Sequence, residues 1–217
     1  MEKHQLSVRR TARYLTLGQL NDNTRRIWFV LHGYGQLAEY FLPKFELLND
    51  GQTFIIAPEA LSRFYLTGMG GSDKVGATWM TREDRLNEID DYVHYLNTLY
   101  HTLLGDTERT EVRIGLLGFS QGVATACRWM ASGKFRFDQL VLWAGTVPDD
   151  ITALPFWERL KEVETQLVYG KKDPLIKPED VTEQVEKLQK LGVSVRLVPF
   201  DGKHEIIPGV VVKVCGG

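Results

Sequence analysis

Gly118-Phe119-Ser120-Gln121-Gly122 constrains the fold of this chain more than any other stretch. It joins residues 112–117, a short apolar run with the character of a buried strand, to residues 123–131, a run free of Pro and Gly that predicts a helix. Between such flanks, G-x-S-x-G is a nucleophile elbow. Glycines without Cβ atoms let strand and helix approach, while the serine sits on a strained turn with its hydroxyl exposed. With 20 glycines and 6 serines in 217 residues, chance supplies about 0.05 such motifs before the flanks are considered. The alternative is an ordinary glycine-rich turn; the flanks favour a nucleophile.

The rest of the chain predicts the sheet that such an elbow needs. Residues 7–17 alternate as an opening edge strand would, and Ile27-Trp28-Phe29-Val30-Leu31 is apolar on both faces, as a helix-covered strand requires. A helix over 38–48 is expected to turn Tyr40, Phe41, Phe45 and Leu48 inward. Strands follow at 53–57, 139–144, 166–169 and 193–200. The strongest helical period begins near Arg82, with Leu86, Ile89, Val93, Leu96, Leu99, Tyr100 and Leu103 on one stripe, a cap at Thr81 and a stop at Gly105. A further helix starts at Pro178. The tail from Glu205 favours neither helix nor strand. No internal repeat or linker breaks the order, so residues 1–217 are expected to form a single α/β domain, a mostly parallel central sheet covered by helices on both faces.

A serine hydroxyl needs a base to take its proton. Of the five histidines, His4 lies in a terminus, His94 and His101 are mid-helix and have no metal-ligand companions, and His32 precedes a glycine turn. His204 follows the last strong strand, in the chain position expected for the base. Asp173, on the loop after the 166–169 strand, fits best as the carboxylate that orients the imidazole; Asp149 and Asp150, after the preceding strand, compete with it. Charge developing on a carbonyl oxygen requires donors already in place. The backbone N–H of Gln121 is one, and the turn His32-Gly33-Tyr34-Gly35 points to the N–H of Tyr34 as the other.

Leu31-His32-Gly33-Tyr34-Gly35, Ala57-Pro58-Glu59-Ala60, Gly118-Phe119-Ser120-Gln121-Gly122, Gly170-Lys171-Lys172-Asp173 and Gly202-Lys203-His204 together resemble the α/β-hydrolase superfamily. Within it they resemble the phospholipase/carboxylesterase group, which includes acyl-protein thioesterases. The resemblance covers nearly the whole chain in the family order. It implies an α/β-hydrolase fold without a large lid domain, Ser120, Asp173 and His204 as a triad, and Tyr34 and Gln121 as oxyanion donors. The chain departs from the group at Gln36, where Asp is usual, at Val123, where a further Gly is common, and at Met80-Thr81, after a matching Trp79. These departures weaken any transfer of substrate specificity.

Residues 58–81 show no regular period and mix Phe64, Tyr65, Leu66 and Met69 with glycines, the character of a binding-cleft wall. Tyr65, Met69 and Trp79 are the expected acyl-cleft wall, with Phe156 and Trp157 as further candidates. A net charge of −2 and isolated basic doublets predict no nucleic-acid partner, and no apolar run is long enough for transmembrane anchoring. The start of the sequence predicts no signal peptide. Two cysteines are too few for a disulfide scaffold, which suggests a cytoplasmic location. The expected activity is hydrolysis of small-molecule carboxylic esters, or thioesters, of short to medium acyl chains through an acyl-enzyme, without metal or cofactor. A peptidase or amidase using the same triad, or a hydrolase-fold binding protein, is the alternative. Composition leaves homo-oligomerisation open.

Overall fold

The structure, a computed structural model, describes residues 1–67, 73–105, 111–133, 135–151 and 154–216. Its elements in chain order are β1 (Tyr14–Leu17), β2 (Arg26–Leu31), α1 (Ala38–Phe41) with a 3₁₀ continuation (Leu42–Leu48), β3 (Thr53–Pro58), β4 (Ser62–Tyr65), β5 (Val75–Thr78), α2 (Arg85–Leu104), β6 (Arg113–Phe119) and α3 (Gln121–Ser132). There follow β7 (Gln139–Trp143), α4 (Leu154–Glu162), β8 (Glu164–Gly170), α5 (Pro178–Lys190), β9 (Val195–Phe200) and α6 (Pro208–Cys215).

One sheet runs β1-β3-β2-β6-β7-β8-β9. Only β1 is antiparallel, lying on β3; every other pairing in this sheet is parallel. The interior strands read as unbroken apolar runs because both faces are covered. On one face, Ile27, Phe29, Leu31, Leu116, Leu140 and Leu142 meet buried residues of α2, α3 and α4. On the other, Trp28, Val30, Leu117, Val141 and Val168 meet α1, its 3₁₀ continuation and α6. Successive side chains of a strand point to opposite faces, so one run of sequence feeds two cores. Among the described residues no separate lid domain stands over the sheet.

Several local expectations shift. The segment after Gln36 makes one α-helical turn and then tightens to 3₁₀ geometry. Phe41, Phe45 and Leu48 are buried as expected, but Tyr40 points to solvent. In α2 the inward stripe is Tyr92, Leu96, Leu99, Tyr100 and Leu104. Leu86 is 74% exposed, because the helix begins at Arg85 and its first turn overshoots the core. Thr81 does not cap it; the Thr81 hydroxyl and N–H both bond the Glu88 carboxylate. The ambiguous tail is helix α6, which seals the second core with Val211, Val214 and Cys215.

The stretch without regular period contains an antiparallel hairpin, β4–β5. Its base is held by Glu59, whose side chain is wholly buried yet accepts from Arg13 at 2.6 and 2.9 Å, Arg63 at 2.6 Å and the Ala38 N–H at 3.2 Å. Burial alone would raise the Glu59 carboxyl; the two guanidiniums and the N–H outweigh it and hold the group below its ordinary value. Glu59 thereby ties the segment before β1, the start of α1 and the hairpin to the end of β3.

Candidate active site

All the residues singled out for chemistry lie beyond the carboxyl ends of parallel strands, where open α/β sheets place their sites. Ser120 follows β6 and takes φ 54° and ψ −117°, a backbone region that favours glycine. Its N–H is anchored on Trp143 O of the neighbouring strand at 2.8 Å. The flanking glycines are required by contact: a Cβ at Gly118 would lie 2.3 Å from Gly122 O, and one at Gly122 would lie 2.3 Å from Leu31 O. The strand, tight turn and helix expected here are present, with Ser120 at the turn and a glycine two residues to either side.

His204 and Asp173 meet, although 31 residues separate them. His204 Nδ1 is 2.7 Å from Asp173 Oδ2, with the Asp173 side chain fully buried and that of His204 20% exposed. A carboxylate only accepts, so Nδ1 carries a proton, and in the neutral imidazole Nε2 is then the bare nitrogen. Backbone bonds fix the two loops together: Lys171 N–H donates to Phe200 O and Lys172 N–H to Gly202 O, each at 2.9 Å. The second Asp173 oxygen accepts from the Leu175 N–H at 2.8 Å. The His204 ring lies against Phe119, the residue before the serine, with centroids 5.0 Å apart. The Ser120 hydroxyl makes no hydrogen bond to His204 among the described contacts.

The competing aspartates are engaged elsewhere. Asp149 is exposed and pairs with Lys187, while Asp150 bridges Arg128 and Arg85. Hydrogen bonds from Arg128 lead the causes that bring the Asp150 carboxyl down to about 2, with Arg85 adding to them.

The turn after β2 stands against the elbow: a Cβ at Gly33 would be 3.2 Å from the Ser120 Cβ. The N–H groups of Tyr34 and Gln121 have no acceptor among the described residues. His32 is buried, which lowers its pKa and keeps it neutral at pH 7. Its Nε2 accepts from the Ala60 N–H at 3.0 Å, so Nδ1 bears the proton and donates to Gly33 O at 2.8 Å.

The expected acyl-cleft wall is only partly where it was sought. Tyr65 is 64% exposed and Leu66 is also exposed, while Phe64 stacks on the exposed Tyr34 at 5.1 Å. Met69 lies outside the described residues. Trp79 is 2% exposed, in the main core, with its indole N–H donating to His32 O at 2.8 Å; it supports the turn from beneath and presents no face to a cleft. Phe156 and Trp157 are likewise core residues. A depression between α2 and α3, lined in part by Leu86, Val93, Arg128 and Ile151, includes neither Ser120 nor His204.

Two features escaped the sequence reading. The Gln121 side chain accepts from Trp79 N–H at 3.1 Å and donates to Met80 O at 2.9 Å, clamping the exit of β5 to the elbow. No sequence signal links residues 42 apart in this way. Ala144, after β7, takes φ 51° at the same sheet edge, and Gly145 beside it was the available hint.

The fold is shared with solved structures of low sequence identity. Acyl-protein thioesterase 2 of Zea mays superposes with a TM-score of 0.70 at 20% identity, covering 95% of this chain and 97% of that one. A carboxylesterase from Mesorhizobium loti gives 0.69 at 18%, with 95% of each chain covered. The Bacillus cereus carboxylesterase gives 0.65 at 14%, covering 94% of this chain and 92% of the other. No curated protein sequence matches the chain. The α/β-hydrolase fold that the resemblance implied is thus met. The sequence profile described as Serine hydrolase (FSH1) matches residues 23–209, a span that takes in the turn after β2, the elbow, Asp173 and His204. By that match, over most of its length, the chain belongs to the FSH1 serine hydrolase family.

Proposed function

We propose that the protein hydrolyses carboxylic esters, and thioesters by the same steps, through an acyl-enzyme on Ser120. The observation that carries this reading is the 2.7 Å pairing of His204 Nδ1 with buried Asp173, its ring against Phe119 beside the elbow. Ser120 Oγ attacks the acyl carbon as His204 Nε2 takes its proton, and the carbonyl electrons move onto oxygen. The Tyr34 and Gln121 N–H groups receive that charge. Collapse expels the alcohol or thiol, which leaves with the proton from Nε2. A water, deprotonated by the same nitrogen, then releases the acid and restores Ser120. Asp173 holds the Nδ1–H tautomer and stabilises the imidazolium formed in each half-reaction.

The substrate is a small acyl ester of short to medium chain length. Tyr34, Phe64 and Leu66 form a partly open apolar surface beside the turn that touches the elbow, while Tyr65, next to Phe64 along β4, points to the other face of the hairpin. Each methylene fully desolvated contributes about 0.8 kcal/mol, or roughly fourfold in kcat/KM, and a half-open surface gives less. A twofold to fourfold rise per carbon is expected from acetyl to about hexanoyl p-nitrophenyl esters, and Leu66→Ala should flatten it. A profile that is flat or falling beyond acetyl, and the same in Leu66→Ala, would remove the apolar surface from the reading. Both cysteines are free and buried; burial pushes the Cys127 thiol up to about 12 and raises Cys215 as well, so neither competes as nucleophile. Two reduced buried thiols also fit a cytoplasmic location.

A further inference from the structure

Gln36 stands where the resembling group usually has Asp, and its contacts give it a task. Gln36 Oε1 accepts the Gly33 N–H at 2.9 Å, and the Gln36 N–H returns to Gly33 O at 3.3 Å. The residue therefore grips both peptide groups that flank the Gly33 α-carbon. Its own main chain is fastened to β5 in turn: the Ala77 N–H donates to Gln36 O at 3.2 Å, and the Gly35 N–H donates to Ala77 O at 2.8 Å.

The consequence lies in the peptide group between Gly33 and Tyr34. This bond is trans and planar, so its C=O and N–H point in opposite directions and cannot be turned separately. Gly33 O is held by two donors, His32 Nδ1–H and Gln36 N–H. Fixing that oxygen fixes the direction of the Tyr34 N–H, which has no acceptor among the described residues and belongs to a turn lying against Ser120. The Gln36 side chain closes the same turn from its other end: Oε1 on the Gly33 N–H holds residue 36 over Gly33, so that its long 3.3 Å main-chain bond to Gly33 O stays seated. Losing Oε1 loosens both grips while leaving Tyr34 the neighbouring free donor.

We propose that Gln36 is a positioning residue that aims the Tyr34 N–H at the oxygen of the reacting acyl group. The inference rests on the acyl-enzyme reading given above. Gln36 touches neither substrate nor reacting atoms; it acts by holding the turn. A donor aimed at charge that develops only in the transition state affects kcat more than substrate binding. Losing one oxyanion donor outright costs about 10²–10³ in kcat, and loosening one costs less.

The test uses Gln36→Met, similar in length but without the acceptor, and Gln36→Glu, which keeps a carboxyl oxygen at the same reach. With p-nitrophenyl butyrate, Gln36→Met should lose about 10- to 100-fold in kcat with KM within about twofold. A trifluoromethyl ketone of matched chain length reports on the oxyanion directly. Ser120 Oγ bonds to its carbonyl carbon, the π electrons pass to oxygen, and the Ser120 proton passes to His204 Nε2. Its affinity should fall by the same factor as kcat/KM, while that of the corresponding secondary alcohol stays unchanged. Gln36→Glu should stay within about threefold of the parent in kcat. The proposal is overturned by Gln36→Met turning over like the parent, by ketone and alcohol weakening equally, or by Gln36→Glu being as impaired as Gln36→Met. Should Gln36→Met not fold, Gln36→Glu decides alone: retained kcat supports the proposal and a loss above tenfold overturns it. Ser120→Ala separates the two levels. If it keeps turnover, the esterase reading falls and this inference with it; if it is inactive while Gln36→Met is normal, only the role of Gln36 falls.

Discussion

Ser120→Ala should lower turnover of p-nitrophenyl butyrate by about 10³-fold or more and leave a folded protein. The change removes one oxygen from a half-buried side chain and leaves the backbone anchor on Trp143 O and both glycine contacts untouched. On the mechanism proposed above, what disappears is the covalent route: His204 and the unbonded N–H groups of Tyr34 and Gln121 remain, but no Oγ attacks the acyl carbon. Residual rate then comes from water activated by His204. The measurement is steady-state turnover together with a thermal melt, so that lost chemistry is told apart from lost structure. Turnover near that of the parent in a well-folded Ser120→Ala would place the nucleophile elsewhere.

Asp173→Asn should cost nearly as much, about 10³- to 10⁴-fold in kcat, because the harm lies in the wrong tautomer as well as in the missing charge. An amide in that position can present N–H to Nδ1, which then holds the imidazole with its proton on Nε2, where the base must be bare. Asp150→Asn is the control. Its carboxylate serves Arg128 and Arg85, so its loss weakens a partly exposed ion pair and leaves kcat near normal. The Asp150 carboxyl is held near 2, so its contribution is full above the ordinary carboxylate range and is lost only as pH falls toward that value. A crippled Asp150→Asn beside a near-normal Asp173→Asn would reverse the assignment.

The two aspartates show where the sequence is informative. Chain order and strand ends were enough to put Ser120, Asp173 and His204 at one edge of a parallel sheet, since a buried strand followed by a loop carries its direction with it. They could not exclude Asp149 and Asp150, whose partners come from α2, α3 and α5, elements distant in the chain. The same limit hid the hairpin in residues 58–81. Its strands are four residues each and alternate weakly, and β5 is fastened by main-chain bonds to Gly35 and Gln36, which side-chain patterns do not report. Trp79 was misplaced because an aromatic ring among glycines reads equally well as cleft or as core; the acceptor on His32 O decides for core. Tyr40 and Leu86 show the cost of extending a helical period across its ends, where the geometry tightens or the first turn overruns the sheet.

Pro199 in β9 has a consequence for how copies of this chain meet. β9 is the last strand of the sheet and among the described residues pairs only with β8, which leaves its far side a row of main-chain groups without a strand beside it. Phe200 O faces inward, accepting the Lys171 N–H, and alternation along the strand therefore turns Val195, Leu197 and Pro199 outward. A proline has no N–H to offer there, so an arriving strand could pair at Val195 and Leu197 but would meet a gap at Pro199. The opposite edge, β1, is four residues long and gives little length to pair with. Both ends of the sheet are thereby guarded against strand-to-strand growth. Growth of the sheet from copy to copy is therefore disfavoured at either end.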